Sequence, residues 1–443
     1  MHLEPTEAWY ILRICAALIA VFLLAVHLIK LKAKVPLFYC WLGAIAVLGG
    51  AAAFFLPIAV NSGFAKDDDG SALRQAILYT TGGLLGVITL GETHRKNNQE
   101  KEKNENDHIR QVHAERRSRY TAAVEQLANE KAAVRLGGIY TLAGLVDEWL
   151  ADTTLEPKEQ QKEGQVIINN LCSYIRSSFT LALKAEMLEG DSEPDNYEGD
   201  FSKDQAAFHE EQDVRRTIFD EMSKRSSSFI KDKEDKTVVI PGAWSNFNID
   251  FSRASIFYPL SNLTIEKGNF SSAKFYSNAD FSEATFTQTA NFSKATFTQT
   301  ARFRWATFAH NADFNCAAFT QTADFSCAAF TQNADFHGAS FTQNTNFSRA
   351  TFSASSPKFV ETSEVSEQTF RARFATLPKN QRAYSFTVSK GSFPILLGEA
   401  ELNGVKYRIP VGTVLFDPSS EKTSEPAKSL DKSNDSKEEK PAE

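Results

Sequence analysis

The sequence predicts a multi-domain chain of the α plus β class. It reads as N-terminal transmembrane helices, a helical linker domain, a parallel β-solenoid, a small β cap and a disordered tail. Three observations carry this. Two apolar runs of bilayer-spanning length open the chain, Trp9–Ile29 and Val35–Val60. Phe is present 35 times against 3 Met and 5 Trp, an excess that points to one repeated structural position. From Gly268 to Ser355 the chain divides into eight consecutive units of 11 residues. With 443 residues several structural units are expected. Charged residues make up 23% and the net charge is −7, so no basic balance points to nucleic acid. Five Cys exclude a disulfide scaffold.

The membrane domain is assigned to 1–92, with three spans at about 9–29, 35–60 and 76–91. The third run, Ala76–Leu90, is short and carries Tyr79, Thr80, Thr81 and a Gly pair. The stretch Met1–Glu7 lacks the basic leader of a secretory signal. Orientation follows from the Lys/Arg bias. Lys30, Lys32 and Lys34 place the first loop in the cytoplasm, and Asp67, Asp68 and Asp69 place the second outside. Arg95 and Lys96, after the third run, return the chain to the inside. The N-terminus is then outside and everything beyond residue 92 cytoplasmic. Arg13 and His27 are polar residues within the first span.

Residues 93–240 read as a helical region. Val124, Leu127, Val134, Leu136, Ile139, Leu142, Leu145 and Trp149 recur largely at helical spacing, with Gly137–Gly138 expected to break the run. Ala151–Gly164 reads as a loop, Gln165–Leu183 as a helix, 186–200 as an acidic linker and Lys203–Lys224 as a further helix.

The solenoid is assigned to 268–357, after a degenerate lead-in and cap at 241–267. Its units include ADFSEATFTQT and ADFSCAAFTQN. Phe falls at Phe270, Phe275, Phe281, Phe286, Phe292, Phe297, Phe303, Phe308, Phe314, Phe319, Phe325, Phe330, Phe336, Phe341, Phe347 and Phe352, alternating steps of five and six. A small residue, such as Ala279, Ala284, Ala290 or Ala295, stands two before nearly every Phe. An 11-residue period also fits a right-handed coiled coil. Phe, Thr, Ser, Asn and Asp are mediocre helix formers, however, and steps of five give no seam at 100° per residue. The Ala-x-Phe spacing instead puts both side chains on one face of an extended segment. Segment 358–417 reads as a C-terminal cap, with strand-like pieces at Tyr384–Val388, Val405–Ile409 and Thr413–Phe416. Segment 418–443, rich in Ser, Lys and Glu, reads as disordered.

Ala-Asp-Phe-Ser-x followed by Ala-Thr-Phe-Thr-x resembles the pentapeptide repeat. The resemblance implies a right-handed, four-sided β-helix with the central Phe and the small residue before it facing inward. One extra residue in every second pentapeptide, such as Thr289 or Thr300, departs from the pattern. A coil would then hold 22 residues, with the extra one bulging at a corner. Eight units give about four coils, a stub about 19 Å long at ~4.8 Å per strand. The segments Tyr120–Leu127, Val134–Leu142 and Asn170–Arg176, and Asp213-Val-Arg-Arg216, are similar to the helical part of membrane-anchored bacterial pentapeptide-repeat proteins. That resemblance implies a multi-pass bacterial inner-membrane protein.

No residues are expected to be catalytic, cofactor-binding or metal-binding, and no phosphate loop, metal motif or nucleophile constellation is present. Cys316 and Cys327 should lie on opposite faces of a 22-residue coil, and Cys15 and Cys40 should pack within spans. His108 and His113 read as a solvated helix face, and His310 and His337 as isolated outward residues. Asp280, Asp313, Asp324 and Asp335 form a recurring outward position with no acid partner beside it. Sequons at Asn262, Asn269, Asn291 and Asn346 would go unused in a cytoplasmic domain. The expected role is a membrane-anchored, non-enzymatic scaffold whose partners are the bilayer and a protein. A homo-oligomer is compatible with it, and nucleic acid is not expected. Some members of the family resemble DNA and protect a topoisomerase. Here 268–355 holds five Lys/Arg and five Asp/Glu, which argues against mimicry. A subunit of a small channel or transporter is a further alternative, disfavoured by three spans with almost no interior polar groups unless the protein oligomerises.

Overall fold

The computed structural model describes residues 4–28, 37–61, 69–231, 237–260, 268–365, 367–377 and 384–429. Lys30, Lys32, Lys34, Asp67, Asp68, Asn262, the last part of the lead-in (261–267) and the end of the tail (430–443) lie outside the described residues, as does the side chain of His27. The chain divides into two compact units, Met1–Val112 and His113–Glu443.

In the first unit, the opening apolar runs form helices α1 (Pro5–Leu28) and α2 (Leu37–Ala59). Both are long and apolar enough to cross a membrane, over Pro5–Ala25 and Phe38–Ala59. Many of their apolar side chains point outward, including Leu18, Val21, Trp41 and Val47. The third expected span, 76–91, is not a helix of its own. It is the apolar opening of α3 (Asp69–Leu127), which runs on without a break into polar sequence. The reason is local: nothing between Gly91 and Tyr120 is proline or another strong helix breaker. Arg74 ties α3 to α2, donating to the Ala53 carbonyl at 3.3 Å and lying over the Phe54 ring.

In the second unit, the end of α3 packs with α4 (Ala132–Leu150), α5 (Pro157–Arg176), the short α6 (Ala185–Leu188) and α7 (Phe201–Ser226). Two local expectations change. Gly137–Gly138 does not break a helix but sits inside α4. A Cβ on Gly138 would lie 2.8 Å from the Ala123 carbonyl, so this glycine permits α3 and α4 to approach. The break falls earlier, at 128–131. The polar stretch expected as a loop already enters α5 at Pro157, where proline's fixed φ suits a first turn. Asp200 caps α7 by accepting from the Lys203 amide.

The solenoid follows. Each pentapeptide contributes a two-residue strand, and each strand pairs in parallel with its equivalent one coil away. Phe297 pairs with Phe275 and Phe319, so a coil holds 22 residues. Four parallel sheets form the four sides. The lead-in already belongs to the array: Ile249–Asp250 pairs with Gly268–Asn269, and Ser255–Ile256 with Lys274–Phe275. The helical layer covers this end without a gap. Phe219 of α7 meets Phe251 at 4.4 Å between ring centroids, and one core cluster runs from Ala123 to the far cap.

At the other end, Arg373–Ala375 and Val414–Phe416 extend one wall as further parallel strands. An antiparallel hairpin, Leu397–Leu402 with Val405–Pro410, turns at Asn403–Gly404, both at positive φ. Tyr384–Val388 supplies only a bridge from Ser385 to Asn346. The tail expected to be disordered from 418 instead begins with ordered structure. Lys428–Ser429 adds to the hairpin, and Ala427 is buried beneath it.

Candidate functional site on the outer wall of the solenoid

The wall is defined by what the repeat places inside. All sixteen repeat Phe residues are at most 1% exposed. Their rings stack in four columns, one per side. In the column Phe286–Phe308–Phe330–Phe352 the centroids are 5.0, 4.7 and 4.9 Å apart with planes within 8°. Neighbouring columns meet edge to face, as Phe292 and Phe303 do at 5.5 Å and 81°. Ala279, Ala284, Ala290 and Ala295 fill the space beside the rings and are at most 3% exposed.

Two kinds of corner join the strands. The first is a tight turn such as Phe303–Ala306, closed by the Ala306 amide on the Phe303 carbonyl at 3.1 Å. Its third residue has positive φ, as a type II turn requires. That residue recurs every 11 positions: Ser272, Glu283, Lys294, Trp305, Cys316, Cys327, Gly338 and Arg349, with φ from 54° to 69°. Gly338 alone carries no strain there; a Cβ on it would lie 2.9 Å from the Cys316 sulfur, one coil below. The second corner is wider and absorbs the extra residue, as at Thr287–Thr289.

The Asp/Asn position before the inward Phe has a structural task. Its carboxylate or amide oxygen accepts the backbone N–H two residues on, across the tight turn. Asp280 does so from Ser282 at 3.0 Å, Asn291 from Ser293 at 3.0 Å, Asp313 from Asn315 at 2.9 Å and Asp324 from Ser326 at 2.9 Å. These residues are half-buried. Thr ladders add bonds between coils, Thr320 donating to the Phe297 and Thr298 carbonyls.

His337 is not isolated. Its Nδ1 lies 2.7 Å from Asp335 Oδ1 and 3.2 Å from Glu361 Oε2, while Lys358 holds the other Glu361 oxygen at 2.5 Å. The three donor groups lie within 4.8 Å of one another and could hold a divalent ion, although Lys358 already supplies a cation at this carboxylate. Burial pushes the Cys172 thiol up to about 12, which makes it a poor nucleophile. Cys316 and Cys327 are free thiols at successive tight corners.

Three polar hubs in the helical layer left no period in the sequence. Arg215, from the Asp213–Arg216 motif, is 1% exposed. It donates to Glu211 at 2.7 Å and to the Ile175 and Ser177 carbonyls at 2.8 and 3.1 Å, and lies over Tyr174 and Phe257. Asp147 and Glu221 hold Arg225, and Asp147 also accepts from the Trp244 indole. Asp152 gathers Arg116, His113 and Thr154. Burial of Asp152 opposes ionisation. The Thr154 hydroxyl and amide, Arg116 and His113 outweigh that and hold the carboxyl well below the usual carboxylate range. His113, expected on a solvated face, is thus mostly buried beside Trp149. In the first unit, Arg95 pairs with Glu92 at 3.0 Å and Lys96 lies over the Tyr39 ring. Arg13 is exposed on α1.

One unit departs from the wall pattern. In ARFRWATFAHN, Arg302 replaces the turn-capping Asp/Asn, and Arg304 and Trp305 occupy the turn. Trp305 is 47% exposed, the sole exposed large hydrophobic among the described residues of 268–355. Residues 270–317 match the family model described as pentapeptide repeats (9 copies). Nothing matches among curated proteins or solved structures. The chain carries a pentapeptide-repeat β-solenoid, its rings inside and its turn residues outside.

Proposed function

We propose that this protein is a membrane-anchored, non-enzymatic scaffold that presents the solenoid wall to a protein partner in the cytoplasm. The observation that carries the reading is the division of labour along the repeat. All sixteen repeat Phe rings are buried within the array, and the outward positions form rows rich in Thr, Gln, Asn and Ser held at fixed spacing by the coil-to-coil ladder. A surface of that kind offers many hydrogen-bonding groups with little entropy left to lose, which favours recognition. The two apolar helices of the first unit support the anchor, and Arg95 and Lys96 support an inside location for the rest. The balance of acidic and basic residues on the array speaks against DNA mimicry.

The test uses the full chain in its native membrane. A photo-crosslinking residue at Gln321 or Gln332, both exposed, should capture the same protein reproducibly, and one at exposed Glu130 should not. Capture of lipid alone would overturn the scaffold. Reporter fusions at Gly63 and at the C-terminus should report outside and inside respectively; a C-terminus outside would reverse the orientation.

A further inference from the structure

Three departures from the repeat rule coincide in one unit. At 302 an arginine stands where Asp280, Asn291, Asp313 and Asp324 accept the turn amide, so the turn after Arg302 has no side-chain cap. At 305 the bulkiest side chain takes the positive-φ corner, at 57°, where a large residue is strained. At 304, where Ser282, Ser293 and Ser326 stand in other units, an exposed guanidinium lies 3.9 Å from the Trp305 ring centroid. Among the described residues Arg304 has no carboxylate partner. Each change weakens the coil, and together they set a tryptophan and a free bidentate cation side by side on the wall. Such pairs dominate binding energy at protein interfaces.

Charge selects the kind of partner. Arg302 lies in register between Asp280 and Asp324, one coil to each side, and its Nη1 is 4.0 Å from an Asp280 oxygen. A dense anionic surface, such as a headgroup layer or a phosphate backbone, would meet those carboxylates. A single carboxylate can reach Arg304 without doing so. We propose that Arg304 and Trp305, supported by Arg302, are the docking point for an acidic–apolar peptide segment of a protein partner. A carboxylate takes the Arg304 fork and a neighbouring apolar side chain lies on the indole. The proposal rests on the wall being an interaction surface and names where on it the contact is made.

The test is fluorescence polarisation of synthetic peptides on the full chain in detergent. Glu-Leu and Asp-Phe segments are set against Gln-Leu and Asn-Phe counterparts. The acidic members should bind, and R304Q and W305G should each weaken binding at least about tenfold, the loss usual for a central interface residue. W305G keeps the positive-φ corner, so the variant should fold. R302N should raise the denaturant midpoint by restoring the turn cap that Asn291 makes, without stacking a third carboxylate between Asp280 and Asp324, while weakening the peptide. Acidic peptides that bind no better than their amide counterparts would overturn the proposal. So would binding indifferent to R304Q and W305G, or a lower midpoint in R302N. Phosphatidylserine vesicles captured through Trp305 in place of peptide would overturn it in favour of lipid. If the peptides fail while wall crosslinks at Gln321 still capture a protein, the scaffold reading survives and this contact alone is lost.

Discussion

Phe308→Ala removes one ring from the middle of a column. The side chain is fully buried, stacked on Phe286 at 5.0 Å and Phe330 at 4.7 Å, and meets the edge of Phe314 at 5.9 Å. The coil above and below is held by backbone bonds, Thr307 N–H on the Ala284 carbonyl and Ala329 N–H on the Ala306 carbonyl, both at 2.8 Å. The walls therefore cannot close on the hole, and the loss includes both transfer and cavity terms. A cost of about 3–5 kcal/mol is expected. Two broken stacks fall within that figure at about 0.5–1.5 kcal/mol each beyond area. Phe308→Leu, which keeps most of the volume, should cost under about 1.5 kcal/mol. Gln332→Ala, an exposed wall position, should stay within about 0.5 kcal/mol. Urea unfolding of the full chain in detergent, followed by circular dichroism at the β signal, gives the three midpoints. A shift for Phe308→Ala no larger than for Gln332→Ala would refute the argument that the rings are the solenoid's interior.

Asp313→Ala should cost about 0.5–1.5 kcal/mol by freeing the Asn315 amide, and Asp313→Asn should be nearly neutral because Asn291 makes the same bond; urea midpoints decide. Arg215→Ala should cost about 2–4 kcal/mol by leaving the Ile175 and Ser177 carbonyls unpaired, Glu211 keeping Arg135 and Tyr174, and Arg215→Lys should not rescue it, since one ammonium cannot replace the fork; thermal unfolding reads both. Asp152 is held below its ordinary value, so its stabilisation is present above about pH 4 and declines as pH falls from there toward the lowered folded value. Hydrogen exchange at the end of α3 should rise in that acid range in the native chain, and Asp152→Asn should remove the pH dependence.

The solenoid was legible because its signal is periodic and local. The five-and-six beat of Phe, the Ala two residues before it and the surplus Thr289 or Thr300 together specify a 22-residue coil, and register pairs such as Phe275, Phe297 and Phe319 agree with it. The lead-in Asp250–Ile256 was legible for the same reason. What escaped depends on partners far along the chain. Arg215 reads as one charge on a helix until α5 brings the Ile175 and Ser177 carbonyls to it. His337 reads as a stray substitution until the segment at Glu361 folds back. The Gly137–Gly138 pair looks like a breaker because close helix packing leaves the same mark as a turn. The start of α5 at Pro157 could have been found, since Pro followed by Glu159 is a helix-start signal, but the polar composition masked it. The strand Leu397–Leu402 carries Gly398 and two Glu, poor strand formers that only pairing with Val405–Pro410 makes extended.

The positive-φ corners have a practical consequence. Their torsion is set by the turn, so the side chain mounted there can change without disturbing the rings, and the chain already mounts Ser, Glu, Lys, Trp, Cys, Gly and Arg in that seat. Two consecutive seats hold thiols, Cys316 and Cys327, while Cys172 is sealed in the helical layer. A maleimide dye at one seat, with the other seat and the partly exposed Cys15 and Cys40 replaced by serine, would turn this protein into a gauge of which side of the shaft a visitor approaches.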